Sequence, residues 1–329
     1  LFRSGLIAKC IGLRPALEKE TLPAILRAVI DSNAGVRKRA IKLIKDVYLR
    51  NTDRDIRSLI ADALLHRAKD LDESVQELAR QVIEEIWLSP FYGQDPTAGD
   101  VVQRRLAITD HVTLMVKTIQ RSSDIAGVLD RVLQSSLSSS SKNAAANFKV
   151  CKTFVATMFE TIIGNAGLGG SDRLETKDAL QLLMTFAKAD SKLFTTDQIQ
   201  LLQPFIADAK TETDITIFRC VIVIFRHVFP QLSTLHSQFL IAVRQTIMPT
   251  VSRMHRAALD DIFACLRIIS EVLKNTDNLA RLICSTIDNI RKLGKTDFSD
   301  PKANDNVRKI SKLFRSEEHT SELQSPCGS

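Results

Sequence analysis

Hydrophobic and polar positions between residues 25 and 90 follow a helical period and then repeat. The stretch DSNAGVRKRA (31–40) aligns with DLDESVQELA (70–79) at an offset of 39 residues. The matching residues are Asp31 with Asp70, Val36 with Val75, Ala40 with Ala79, Ile44 with Ile83, Val47 with Ile86, Tyr48 with Trp87, and Ile25-Leu26 with Leu64-Leu65. Because apolar positions match on both sides of the motif, the pattern indicates a repeated structural unit.

Each unit is predicted to be a pair of helices. One face of the second helix is apolar, and its residues are Val36, Ala40, Leu43, Ile44 and Val47. Asp31 and Asp70 precede these second helices, where we expect them to cap the first amide groups. Helix pairs with a period near 40 residues are typical of HEAT repeats, which bury their apolar faces by stacking.

Beyond residue 92 the period fades, although helical patterns continue. Helices are expected near 104–121, 124–137, 144–164, 176–189, 195–207, 213–229, 233–247, 251–274, 278–293 and 302–314. No segment alternates apolar and polar residues over the length of a strand, so almost no strand is expected. The predicted fold class is all-α, with a HEAT-repeat α-solenoid over residues 1–92 and divergent, less regular helical pairs over residues 93–314.

The last residues, 315–329, do not follow this pattern. Their sequence, RSEEHTSELQSPCGS, has no apolar periodicity, and RSEEHTSELQS resembles the conceptual translation of a sequencing-library adapter. We therefore expect 315–329 to be a disordered artefact. Without residues 315–329, the chain has 44 Lys and Arg and 35 Asp and Glu, a net charge of +9.

The chain starts with LFRSG, without an initiator Met or a signal-peptide pattern, and is expected to be an internal fragment.

The composition is that of an ordinary soluble helical protein. Hydrophobic residues make up 44% and charged residues 25% of the chain, while aromatic residues make up 5%. The most apolar run, CVIVIF at 220–225, is too short to span a bilayer. The six cysteines form no CxxC pair and have no nearby His pairs, so we expect thiols in a reducing compartment and no structural metal.

Catalytic patterns are weak. GLGGSD (167–172) lacks the Lys-Ser/Thr that follows in a phosphate-binding loop, and no GxSxG motif is found. Histidines occur at scattered positions without metal or triad spacing. We therefore expect no catalytic residue, no cofactor and no metal ligand.

The basic residues of the helix that follows Asp31 divide into two groups. The candidate contacts to DNA phosphates lie opposite the apolar face or flank it, and they are Lys38, Arg39, Lys42, Lys45 and Arg50. Arg37 lies at the border of the apolar face and is expected to bridge to an aspartate of a neighbouring repeat. With Asp31 and Asp70 it forms the predicted set of structural residues between repeats.

The second repeat leaves an alternative open for the lysines. Glu77 and Glu84 stand at the positions equivalent to Lys38 and Lys45. Because adjacent second helices run roughly parallel, Lys38–Glu77 and Lys45–Glu84 ion pairs are the alternative to DNA contact. Such pairs would weaken the positive field of the helix.

Four longer stretches resemble one known family, the Nipped-B-type cohesin loader subunits of the sister chromatid cohesion protein 2 family, most closely its fungal members. They are DSNAGVRKRAIKLIKDVYLRN (31–51), VIEEIWLSPF (82–91), DALQLLMTFAKADSKLFTTDQIQLLQPFI (178–206) and IFRCVIVIFRHVFPQLSTLHSQFLIAVRQTIMPTVSRM (217–254). The resemblance covers roughly residues 20–294.

This resemblance implies a hook-shaped helical solenoid that loads the ring-shaped cohesin complex onto chromatin in the nucleus. Members of the family hold DNA against the cohesin ATPase heads and stimulate ATP hydrolysis there, without an ATP site of their own. The implied partners are cohesin, through its SMC heads and kleisin, double-stranded DNA, and a smaller loader partner. That smaller partner binds an N-terminal region that this sequence is expected to lack.

Two other function classes remain open. One is a different HEAT scaffold, such as a nuclear-transport receptor or a phosphatase scaffold, which would bind only proteins. Such scaffolds keep regular repeats and an acidic inner surface, unlike this basic chain. The other is a solenoid that binds DNA without engaging cohesin.

Overall fold

The computed structural model describes residues 16–93, 101–122, 124–164, 174–207, 211–250 and 256–275, with isolated positions between 277 and 288. Within these residues all regular secondary structure is helical, which confirms the all-α prediction. Contacts group the helices into two compact units, one ending at Leu193 and the other beginning at Phe194.

In the described residues, eight α-helices belong to the first unit and four to the second. The first unit contains α1 (Ala16–Val29), α2 (Ala34–Arg50), α3 (Arg54–Arg67), α4 (Glu73–Trp87), α5 (Val101–Ile119), α6 (Ala126–Leu137), α7 (Ala144–Gly164) and α8 (Thr176–Ala189). The second contains α9 (Thr196–Gln200), α10 (Glu212–Val228), α11 (Ser237–Ile247) and α12 (Arg256–Val272). None of these helices is long and apolar enough to cross a membrane.

The turns that begin α2, α3 and α4 share one pattern, in which two Asp or Asn residues are spaced two apart. The second of each pair caps its helix by accepting from two backbone amides of the first turn, and these caps are Asn33, Asp53 and Asp72. The first of each pair accepts from the backbone amide of the cap residue, at 2.8 Å for Asp31, 2.8 Å for Asn51 and 3.0 Å for Asp70.

The prediction that Asp31 and Asp70 cap α2 and α4 is therefore wrong by two residues. The helices begin later than the prediction assumed, so the cap geometry falls on Asn33 and Asp72. Asp31 and Asp70 instead stabilise the turn before the cap. This placement points the carboxylate of Asp70 into the space between repeats, where it is buried.

The apolar core of the first repeats lies between α1, α2, α3 and α4. Helix α2 packs on α1 and α4, while α3 packs on α4 and α5. The buried apolar side chains of α2 are Ala40, Ile41, Ile44, Val47 and Tyr48. Val36 and Leu43, which were expected in this stripe, are only half-buried, whereas Ile41 is fully buried. Because α2 contacts α1, α3 and α4, its buried arc differs from the one that a single partner predicts.

The second unit has its own aromatic core. The rings of Phe225 and Phe229 stack at 4.7 Å between centroids, and both meet Phe239 edge-on at 6.1 Å. The helix predicted over 195–207 is interrupted: α9 ends at Gln200, and a 3-10 turn covers Gln203–Ile206. Proline at position 204 explains the interruption, because it has no amide to donate within a helix.

Several predictions concern residues outside this description. The helix predicted over 302–314 and the artefact predicted over 315–329 lie there. The proposed change from regular to divergent repeats at residue 92 falls beside residues 94–100, which are also outside the description, and it stays a prediction.

Shortening a core side chain of α2 tests the stacking. Ile44 has no exposed surface, so Ile44→Ala is expected to lower the free energy of unfolding by about 2–5 kcal/mol. Leu49 on the same helix is 53% exposed, and Leu49→Ala is expected to change the free energy of unfolding by less than about 1 kcal/mol. Urea unfolding followed by fluorescence of Trp87, the single tryptophan, measures both. Equal losses in the two variants would contradict the assignment of the α2 core face.

Candidate nucleic-acid interface

A buried ion pair joins the turns before α2 and α4. The Nη2 of Arg37 donates to the Oδ1 of Asp70 at 2.8 Å. Its Nη1 donates to the backbone carbonyls of Asp31 at 2.8 Å and Ser32 at 2.9 Å. Arg37 is only 9% exposed, and both of its terminal nitrogens take part in these contacts. The guanidinium therefore fixes its own repeat turn to the next one.

The Asp70 carboxylate is the point where these contacts converge. Its side chain is 2% exposed, its Oδ1 also accepts from the Asp72 amide, and its Oδ2 accepts from the Nη1 of Arg67 at 2.8 Å. Burial acts to raise the pKa of Asp70, but the Asp72 amide and the two arginines outweigh it and hold that pKa below its ordinary value. The side chain is therefore an anion at neutral pH.

The second repeat has Gln76 where the first has Arg37. Both side chains donate to the backbone carbonyl of the aspartate six residues earlier, which for Gln76 is Asp70. The Oε1 of Gln76 accepts from the Nη2 of Arg80 at 3.0 Å. Because an amide carries no charge, Gln76 keeps the local turn contact without an ion pair to a following repeat.

Lys38 and Lys45 contact α4, but not at the residues predicted. The Nζ of Lys38 donates to the Oγ of Ser74 at 2.9 Å, and the Nζ of Lys45 pairs with the Oε2 of Glu85 at 2.8 Å. The predicted Lys38–Glu77 and Lys45–Glu84 pairs are wrong. Side chains of packed helices reach between the residues of the neighbour, so contacts fall one turn before or one residue after the equivalent position.

The five candidate cations differ in how they are placed on α2. Lys42, like Lys45, borders a groove between α2 and α4, whose far side includes Leu78 and Glu85. Lys42 and Arg39 are exposed, and neither has an ion pair with a described residue. Arg50, at the end of α2, lies roughly 16 Å along the helix from Arg39. We call Lys38, Arg39, Lys42, Lys45 and Arg50 the α2 cationic strip.

Glu84 takes part in a network that sequence reasoning missed. Its Oε1 accepts from the Tyr92 hydroxyl at 3.2 Å and from the Asn143 side-chain amide at 2.8 Å. Tyr92 also bonds the buried Asn147, which donates to the Ser136 carbonyl at 2.9 Å. Burial and the nearby carboxylate raise the pKa of Tyr92 to about 12. These residues come from separate stretches of the sequence and share no periodic signal, so only the fold, which brings Asn143 and Asn147 to Glu84 and Tyr92, reveals them.

The described residues contain no group of three or more side chains able to hold a metal ion. His111 packs among the rings of Trp87, Phe91 and Phe154, with centroids 4.9–6.4 Å away. Burial lowers the pKa of His111 to about 4, so its ring is neutral at physiological pH. Burial likewise raises the pKa of the Cys151 thiol. Both residues act as packing groups in the core.

The fold of this chain matches a solved structure. The chain is similar to the C-terminal fragment of the Chaetomium thermophilum cohesin loader SCC2, with 43% sequence identity and a TM-score of 0.84. The match covers 95% of this chain and 22% of that one. The chain is a homologue of the cohesin loader SCC2. No family model matches the sequence.

Curated relatives give the same homology. The Schizosaccharomyces pombe sister chromatid cohesion protein Mis4 is 25% identical over 283 residues, which are 82% of this chain and 18% of Mis4. The human Nipped-B-like protein is 21% identical over 278 residues, which are 82% of this chain and 10% of that protein. These matches confirm the family resemblance read from the sequence. The chain spans less than a quarter of the length of each of these homologues.

Removing the charge of Asp70 tests the junction between repeats. Asp70→Asn is expected to lower the free energy of unfolding at pH 7 by about 2–4 kcal/mol, because Arg37 and Arg67 lose their buried counterion. The folded pKa of Asp70 lies below its unfolded value of about 3.9, so its contribution is present above that pH. It is lost as pH falls through the folded pKa. The parent should therefore lose more stability than the variant between pH 6 and pH 3.

Chemical unfolding at each pH, followed by Trp87 fluorescence, measures this difference. Asp46→Asn is the control, since Asp46 is an exposed carboxylate on α2. It should leave the pH dependence close to that of the parent. An Asp70→Asn variant with the acid sensitivity and stability of the parent would contradict a structural role for the buried carboxylate.

Proposed function

We propose that the protein to which this segment belongs is a non-enzymatic scaffold that helps to load cohesin onto chromatin in the nucleus. The similarity to the cohesin loader SCC2 carries this proposal, because it combines 43% identity with a match over 95% of the chain. Mis4, named as a sister chromatid cohesion protein, supports the same role. The proposed partners are double-stranded DNA, the SMC heads and kleisin of cohesin, and a smaller loader partner bound outside this segment.

In this proposal the helical stack holds DNA while the cohesin heads hydrolyse ATP, and the loader stimulates that hydrolysis without a nucleotide site of its own. A stacked-helix segment suits such a role, because its repeats present long surfaces on a rigid frame. The ion pair of Arg37 and Asp70 keeps two neighbouring helices, α2 and α4, in fixed register. The charges on those helices are then held at fixed spacing.

Within this function, the α2 cationic strip is the proposed contact to DNA phosphates. Arg39 and Lys42 are its strongest members, since both are exposed and lie within one turn of each other. Lys38 and Lys45 can exchange their bonds to Ser74 and Glu85 for bonds to phosphate. Exposed ion pairs contribute only about 0–1 kcal/mol, so this exchange costs little.

Charge reversal of Arg39 and Lys42 tests the contact. The double variant Arg39→Glu, Lys42→Glu in the full chain is expected to weaken binding to a DNA duplex. The slope of log K against log salt concentration should also become about two units less steep, since each lost phosphate contact removes about 0.9 from its magnitude. Fluorescence anisotropy with a labelled duplex from 50 to 200 mM salt measures both quantities.

The matched control reverses the exposed Lys152 of α7 and Lys188 of α8. It imposes the same change of net charge away from the strip. The strip variant should lose clearly more affinity than this control. Equal losses in the two variants would reject local contact by the strip and leave only the net charge of the chain.

Purified cohesin gives the second arm of the same test. The full-length protein that contains this segment should bind cohesin and raise its ATPase rate, with a larger increase when DNA is present. Its strip variant should lose mainly the increase due to DNA. A full-length protein that binds DNA but neither binds nor stimulates cohesin would reject the loader function and favour an autonomous DNA-binding solenoid. Binding to proteins without any DNA contact would favour a scaffold of the other HEAT class.

A further inference from the structure

Ser74 is an exposed residue in the first turn of α4 that is bonded directly to the α2 cationic strip. Its Oγ accepts from the Nζ of Lys38 at 2.9 Å and donates to the carboxylate of Asp72. The neighbouring Leu71 and Glu73 are also exposed, so the turn is open to another protein. A change of charge on this hydroxyl would therefore act first on a cation of the strip.

The sequence around Ser74 is acidic on both sides. Asp70, Asp72 and Glu73 precede it, and Glu77 follows three residues later. In the whole sequence only Ser74 and Ser285 are serines with a carboxylate three residues further on, and Ser285 has no acidic residue among the four before it. Kinases that select acidic substrates read such patterns by charge complementarity with a basic substrate groove.

We propose that Ser74 is a phosphorylation site for an acidophilic serine kinase, and that its phosphate weakens the hold of the α2 cationic strip on DNA. This second part rests on the proposed function. The γ-phosphoryl group passes from Mg-ATP to the Oγ of Ser74, where a new P–O bond replaces the O–H bond. ADP leaves with the electrons of the broken P–O bond, and the serine proton passes to the catalytic carboxylate of the kinase.

The consequences follow from the position of Lys38. A phosphoserine carries a charge of about −1.5 to −2 at pH 7 and offers three acceptor oxygens. With the Nζ of Lys38 already 2.9 Å from the Oγ, the phosphate would bind this ammonium group as an ion pair. Lys38 would then be withdrawn from DNA, and the added negative charge would repel DNA phosphates from its neighbours on the strip.

Kinase treatment of the full chain tests whether Ser74 is accessible in the folded protein. Incubation with an acidophilic serine kinase and Mg-ATP, followed by peptide mass spectrometry, should place a phosphate on Ser74. Ser74→Ala should remove this signal and Ser285→Ala should not. A synthetic peptide of residues 68–80 shows that the kinase reads the sequence. Modification of the peptide with none at Ser74 in the full chain would overturn the site.

DNA binding of the phosphorylated chain tests the regulatory part. Its affinity for a DNA duplex should fall several-fold. The slope of log K against log salt concentration should become less steep by about 0.9, the value for one lost phosphate contact. Ser74→Ala protein treated with the same kinase should bind DNA with the affinity of the unmodified parent. Unchanged affinity with a phosphate on Ser74, in a chain whose Arg39→Glu, Lys42→Glu variant does lose affinity, would overturn the regulation. If that variant binds DNA like the parent, the DNA-binding part of the proposed function fails instead, and the mass spectrum alone decides whether Ser74 is an acceptor.

Discussion

The buried carboxylate of Asp70 is the constraint on which the first repeats depend. It accepts from the Asp72 amide of its own turn, from Arg67 of the preceding helix and from Arg37 of the preceding repeat. An anion in this position would be costly without partners, whereas two arginines and an amide make it stable. Two chain segments, α2 with Arg37 and the stretch from Arg67 to Asp72, must therefore be in place together before the charge is satisfied, which ties the register of α2 on α4 to a single group.

The surface chemistry of α2 follows from this register. With Arg37 directed into the junction, its neighbours Lys38 and Arg39 lie beside α4 and in solvent. The groove that Lys42 and Lys45 border is bounded on the other side by residues of α4, one of them Glu85. A cationic surface thus borders an acidic one at fixed spacing. Under the proposed function, the net positive charge of the chain attracts DNA at long range, and the arrangement on α2 and α4 decides where phosphates bind.

The repeats and helical class could be predicted from the sequence because apolar spacing alone determines them. Arg37 was predicted to bridge repeats from its place at the edge of the apolar face, and the geometry now gives it a partner in Asp70. The partners of Lys38 and Lys45 could not be predicted, since a shift of one to three residues in the contact depends on how two helices cross. The network of Glu84, Tyr92 and Asn143 depends on packing between distant segments, for which one sequence carries no signal. Pro204 was a visible signal for the break after α9 that the periodicity concealed.

The homology places these contacts in a segment of a cohesin loader homologue, and the buried junction is the feature that makes the segment a defined scaffold. A double-mutant cycle on Arg37→Gln and Asp70→Asn, followed by Trp87 fluorescence in urea, tests this claim most directly. Glutamine is the residue that the next repeat carries at the equivalent position, Gln76. The account predicts a coupling energy of at least about 1 kcal/mol between the two sites. Additive effects within about 0.3 kcal/mol would contradict it, because the two side chains would then contribute to stability independently.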